Sequence, residues 1–115
     1  MIDEISATEA MARAGAADVV FIDVREVPEM QQTGVLPGAI PAPMSRLREL
    51  TDRRHPDFRP EFASGKELII YCATGRRSAS VAEALARIGI PRAVNLAGGI
   101  VAWQREGGKV EPFAA

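Results

Sequence analysis

Apolar runs of strand length alternate along this chain with segments of helical period. Val19-Val20-Phe21-Ile22-Asp23-Val24 is almost continuously apolar and rich in β-branched residues, the pattern of a strand covered on both faces. Glu67-Leu68-Ile69-Ile70-Tyr71 repeats that pattern and ends at Cys72, and Ala93-Val94-Asn95-Leu96 supplies a third strand. Ser6-Ala7-Thr8-Glu9 has the spacing of a capping box and opens a short helix that Gly15 stops. Pro28 to Gln32 predicts a helical turn before Gly34. Leu36 to Met44, with three prolines and Gly38, predicts at most a short strand and turns. A short helix is expected over Arg46 to Leu50, then a long polar surface loop from Thr51 to Gly65.

From about Arg77 to Ile88 the period is helical. Val81, Leu85 and Ile88 share one face, and Glu83 precedes Arg87 by one turn as an expected ion pair. Gly89 and Pro91 end this helix, Gly98-Gly99 turns into a last one over Ile100 to Arg105, and Gly107-Gly108 closes that. Strands alternating with helices predict an α/β layer with a mainly parallel sheet. Parallel crossovers open a ligand crevice at the C-terminal strand ends, which is where Cys72 falls.

At 115 residues the expectation is one domain over residues 1–115. A net charge of -1 argues against nucleic-acid and anionic-membrane partners. The start, MIDEISATEA, lacks the basic and apolar character of a secretory signal, and no apolar run reaches the roughly 18 residues of a membrane span. A lone cysteine forms no internal disulfide and is at risk in an oxidising compartment, so a cytoplasmic location is expected. One Cys and one His exclude a Cys/His zinc site; neither metal nor other cofactor is expected.

Cys72-Ala73-Thr74-Gly75-Arg76-Arg77-Ser78 joins a buried strand to a helix through a short glycine-containing loop. Such a loop can curl its amides inward as an anion-binding nest beside the positive end of a helix, with Gly75 supplying a dihedral that a side chain resists. Dipoles and Arg⁺ then stabilise a thiolate at Cys72. The effect is large: an ordinary thiol is only about 3 % ionised at pH 7, whereas a fall of about two units makes it mostly thiolate. Arg76 and Arg77 stand at a helix start, where each cation costs roughly 0.3–1 kcal/mol, with no acid before Glu83; an anion bound there would explain them. The alternative is a buried small hydrophobe at Cys72 in an ordinary connection.

These residues resemble the rhodanese family over nearly the whole chain. The family's loop, Cys-x-x-Gly-x-Arg-Ser, is present as Cys72, Gly75, Arg77 and Ser78. Ile22-Asp23-Val24-Arg25-Glu26 is similar to its first signature, and Gly34-Val35-Leu36-Pro37-Gly38-Ala39-Ile40 to its Gly-His-Ile-Pro-Gly-Ala motif, with Val35 in place of histidine. Asn95-Leu96-Ala97-Gly98-Gly99-Ile100 with Trp103 resembles its closing motif. The resemblance implies a three-layer α/β/α fold around a five-stranded, mainly parallel sheet. It also implies ping-pong sulfur transfer: Cys72 takes sulfur from a thiosulfate-like anion, becomes a persulfide, and passes the sulfur to cyanide, a thiol or a protein acceptor. The loop residues Ala73, Thr74, Gly75, Arg76, Arg77 and Ser78 would bind the substrate and stabilise its charge.

Asp23 and Arg25 are expected to form a structural ion pair supporting the site, with a catalytic role as the alternative. Arg76 is expected to meet a donor anion at the rim, and Arg77 either to bind substrate or to brace the loop by a salt bridge. Arg46 and Arg48 either line the entrance or form a solvated face; His55 is expected exposed, and Trp103 in the core. A phosphatase on this fold needs arginine six positions after the cysteine, where Ser78 stands. A persulfide relay between proteins and a non-catalytic binding module are the remaining alternatives. A monomer or weak dimer is expected.

Overall fold

The computed structural model describes residues 3–114. Five strands, β1 (Asp3–Ile5), β2 (Val19–Asp23), β3 (Ile40–Pro41), β4 (Glu67–Tyr71) and β5 (Ala93–Leu96), form one sheet in the order β1-β5-β4-β2-β3, every pairing parallel. The helices are α1 (Ala7–Arg13), α2 (Val27–Thr33), α3 (Leu47–Thr51), α4 (Arg76–Arg87) and α5 (Gly99–Arg105).

Period-two alternation splits each central strand between two cores. Ile22, Leu68, Ile70 and Cys72 face Val81, Ala82 and Leu85 of α4 and Leu50 of α3. Phe21, Ile69 and Tyr71 face Ala10 of α1 and Ile100 and Trp103 of α5. Helices therefore cover both faces, and the apolar runs of β2 and β4 are the sequence record of that double burial. Trp103 packs edge-on to Phe21, with ring centroids 5.5 Å apart, and its indole N–H donates to the Lys109 carbonyl oxygen at 2.8 Å.

The Ser6 capping box forms as its spacing predicts: Ser6 Oγ accepts from the Glu9 amide and Glu9 Oε1 accepts from the Ser6 amide, both at 3.1 Å. Four features differ from the sequence expectation. The edge strand β1 has only Ile5 buried and no periodic pattern to announce it. Ile88 lies beyond the last turn of α4 and is 60 % exposed, while Ile90 folds back onto the core in its place. Glu83 and Arg87 form no ion pair. The segment from Thr51 to Gly65 is more than a surface loop: a 3-10 turn over Pro60–Ala63 buries Phe62 against the α4-side core. Among the described residues, no helix is long and apolar enough to cross a membrane.

Candidate active site

Cys72 follows the last residue of β4, on the face covered by α4, and its side chain is 1 % exposed. The backbone then reverses through Gly75, whose φ of 97° lies in the left-handed region and which caps α4. This bend aims the start of the helix at the sulfur. The Gly75 amide donates to Sγ at 3.1 Å, the Ser78 amide lies 3.5 Å from it, and Ser78 Oγ lies at 3.4 Å. These groups sit at the positive end of a 12-residue helix. Burial pushes the thiol up, but hydrogen bonds from the Ser78 hydroxyl and from the amides of Ser78, Gly75 and Thr74 together outweigh it, leaving Cys72 below its ordinary value.

The outer side of the loop is fixed by α5. The Ile100 amide donates to the Cys72 carbonyl at 2.9 Å and the Val101 amide to the Ala73 carbonyl at 3.1 Å. Such close approach is possible only because residue 99 is glycine: a Cβ there would stand 2.5 Å from both carbonyl oxygens, at a φ of +61°. Gly98-Gly99, read from sequence as a turn, thus also seats the loop.

Asp23 and Arg25 form the expected ion pair, both 2 % exposed or less, with Nη2 to Oδ2 at 2.8 Å. Arg25 also donates to the Gly34 carbonyl at 2.7 Å and to Thr33 Oγ1 at 2.6 Å. The pair therefore ties the end of β2 to the end of α2, on the sheet face opposite Cys72, and touches no atom of the loop's nest. Val35 makes a two-way backbone bridge with Glu111, at 2.9 and 2.8 Å, a role in which its side chain takes no part.

Arg77 adopts the bracing alternative. Its guanidinium donates to both oxygens of Glu29 in α2, at 2.9 and 2.8 Å. That contact supplies the acid missing from the start of α4, so an absent anion is not needed to explain Arg77. Arg76 is exposed at the rim, with no hydrogen-bond or ion-pair partner among the described residues, and Thr74 is exposed beside it. Arg46 pairs with Asp57 and Glu49, and Arg48 lies on the exposed face of α3. His55 is half-buried, not exposed, because its Nδ1 accepts from the Asp57 amide at 3.0 Å within the loop.

Two residues of the site are given no role by the sequence. Glu29 comes from another helix and carries no local sign of its partner. Asn95 interrupts the apolar run of β5, and that polar residue in a buried strand was the available signal; it contacts Ser78 and the Gly75 carbonyl. A cleft of about 290 Å3 lined by Phe58, Phe62, Leu68, Ile90 and Arg92 lies at the other end of the sheet, far from the only cysteine.

The family model described as rhodanese-like domain matches residues 6–106. A protein of Allochromatium vinosum named sulfurtransferase is 33 % identical over 108 residues, covering 93 % of this chain and 92 % of that one. A mouse protein named thiosulfate sulfurtransferase/rhodanese-like domain-containing protein 3 is 29 % identical over 75 % of this chain, which spans 58 % of its length. A solved structure from Rhodopseudomonas palustris, of a protein of unknown function described as a possible tyrosine phosphatase, superposes with a TM-score of 0.90; it is 32 % identical, over 96 % of this chain and 85 % of that one.

Proposed function

This chain belongs to the rhodanese-like domain family, among relatives named sulfurtransferases, and from that premise we propose that it moves sulfane sulfur from thiosulfate, or a persulfide donor, to a thiol or cyanide through a persulfide on Cys72. The Cys72 thiolate attacks the outer sulfur of thiosulfate. A new S–S bond forms, the S–S bond of thiosulfate breaks, and sulfite leaves with the electron pair. An acceptor thiolate or cyanide then attacks the outer sulfur of the persulfide, returning Cys72 as thiolate and releasing a persulfide or thiocyanate. No net redox equivalent or cofactor enters.

The observation that carries this reading is the array of Gly75 and Ser78 donors around Sγ. Their dipoles stabilise the attacking thiolate, and the amides of residues 73 to 78 would receive the charge of the donor and of the outer persulfide sulfur. Arg76, exposed and without a polar partner among the described residues, meets the incoming anion.

The description of the Rhodopseudomonas palustris relative raises phosphoryl transfer as the rival. Here the sixth position after Cys72 is Ser78; of the loop's two arginines, Arg76 is exposed at the rim and Arg77 is engaged by Glu29. The guanidinium near Sγ is thus already neutralised by a carboxylate, so a phosphate dianion lacks its counter-charge.

Incubation with thiosulfate followed by intact-mass measurement should show addition of one sulfur atom, absent in Cys72→Ala and removed by cyanide or a thiol. Addition to the Cys72→Ala protein, or turnover of an aryl phosphate without any sulfur addition, would reject the proposal.

A further inference from the structure

β5 carries one buried polar side chain. Val94 and Leu96 face α1 and α5, so Asn95 between them faces the α4 side, as Cys72 does, and it is 1 % exposed. Its amide can be placed in only one way. One end lies 3.1 Å from the Gly75 carbonyl oxygen and 2.9 Å from a Glu4 carboxylate oxygen. Both are acceptors only, so that end is Nδ2. The other end, Oδ1, therefore lies 2.6 Å from Ser78 Oγ. A carbonyl oxygen only accepts, so the Ser78 proton points toward Asn95 and an oxygen lone pair is left facing Sγ at 3.4 Å.

Ser78 has one hydroxyl proton and, once Cys72 ionises, two acceptors for it. We propose that Asn95 is a positioning residue of the sulfur site: it competes with the Cys72 thiolate for the Ser78 proton and so favours the states in which Sγ is uncharged.

Those states are the thiol, whose S–H donates to Ser78 Oγ, and the persulfide, whose negative charge lies on the outer sulfur. In the bare thiolate the Ser78 proton turns to Sγ, and the buried Asn95 Oδ1 loses its donor, a cost that water cannot relieve there. Asn95 thus holds the loaded enzyme against premature loss of its sulfur, and this part rests on the reading of Cys72 as a sulfur carrier. The charged groups around the competition are few. Arg77 of α4, backed by Glu29 of α2, is near enough to Cys72 for a charge interaction. Glu4 of β1 stands behind Asn95, Arg76 is at the rim, and Asp23 with Arg25 occupies the other face of the sheet.

The test is the pH dependence of Cys72 alkylation by iodoacetamide, which requires no sulfur transfer, in the wild type, Asn95→Leu, Ser78→Ala and the double variant. Asn95→Leu should lower the titration midpoint, the Cys72 ionisation constant rising by about three- to tenfold. In the Ser78→Ala background the same substitution should have no effect. An unchanged or raised midpoint, or a fall that persists without Ser78, overturns the proposal, since a residue that only braces Gly75 acts independently of the hydroxyl. If Asn95→Leu fails to fold, Asn95→Val, a smaller strand-forming residue, should give the same Ser78-dependent fall, and a fall that ignores Ser78 overturns the proposal equally. Intact mass against time separates the two readings. A wild type that never gains sulfur rejects the transfer reading, whereas one that gains it, and loses it no faster in Asn95→Leu, rejects the role of Asn95 alone.

Discussion

Arg77 and Glu29, 48 positions apart in the chain, meet through two parallel hydrogen bonds at 2.9 and 2.8 Å. The contact ties α2 to the first turn of α4 and places a carboxylate where the helix dipole favours one. Glu29 also accepts from the Glu26 amide at 2.9 Å, so the same group caps α2.

Its hydrogen bonds from Arg77, more than burial opposes, hold the Glu29 carboxyl at about 2. A carboxyl with a depressed folded value stabilises the protein above its unfolded value, and that stability is lost as pH falls from about 4.5 toward 2. Both side chains are more than a third exposed, so solvent screening limits the contribution to about 1 kcal/mol. Urea midpoints measured across this range should decline in the wild type and decline less in Glu29→Gln, which starts from a lower value at neutral pH.

Arg76→Ala should raise KM for thiosulfate by about three- to tenfold, with urea stability within about 0.5 kcal/mol of wild type, because the side chain is exposed and has no hydrogen-bond or ion-pair partner among the described residues. Added salt should narrow the difference. Steady-state kinetics at two ionic strengths check this.

Gly99 and Gly107 both have left-handed φ values, +61° and +89°, but only at Gly99 would a Cβ collide with backbone. Gly107→Ala should cost only the dihedral strain, about 1–2 kcal/mol. Gly99→Ala should cost more and also slow alkylation of Cys72, since the loop carbonyls of residues 72 and 73 must move. Equal costs, or undiminished thiol reactivity in Gly99→Ala, would show that the loop does not depend on this seat.

Removing either Asp23 or Arg25 by alanine substitution leaves a buried charge unpaired and should cost about 3–5 kcal/mol in guanidinium denaturation. Asp23→Leu with Arg25→Met should cost much less than the sum, as the two charges are removed together. Because the pair lies on the other sheet face, whatever folded fraction remains should retain the wild-type midpoint for Cys72 alkylation.

The strands β2, β4 and β5, the capping box at Ser6 and the cup from Cys72 to Ser78 are all written in local sequence. Each depends on residues within a few positions: a double-sided apolar run, a Ser and a Glu three apart, a glycine where the backbone reverses. β1 was silent because three residues with one buried side chain hold no periodicity. Phe62 was hidden for a related reason, since a single anchor in a polar stretch looks like a solvated loop until a core is present to receive it.

What the sequence by itself determined is a parallel α/β layer with its one thiol at a strand end, facing a helix start through a glycine bend. Only the tertiary structure decided how the thiol is governed. Glu29 reaches Arg77 from another helix, Gly99 lets α5 grip the loop backbone, and Asn95 approaches Ser78 from the neighbouring strand. These contacts join positions separated by 17 to 48 residues. Hydrogen-bond geometry falls off within fractions of an ångström, so no local pattern encodes them; only the packing of sheet and helices brings the partners within reach.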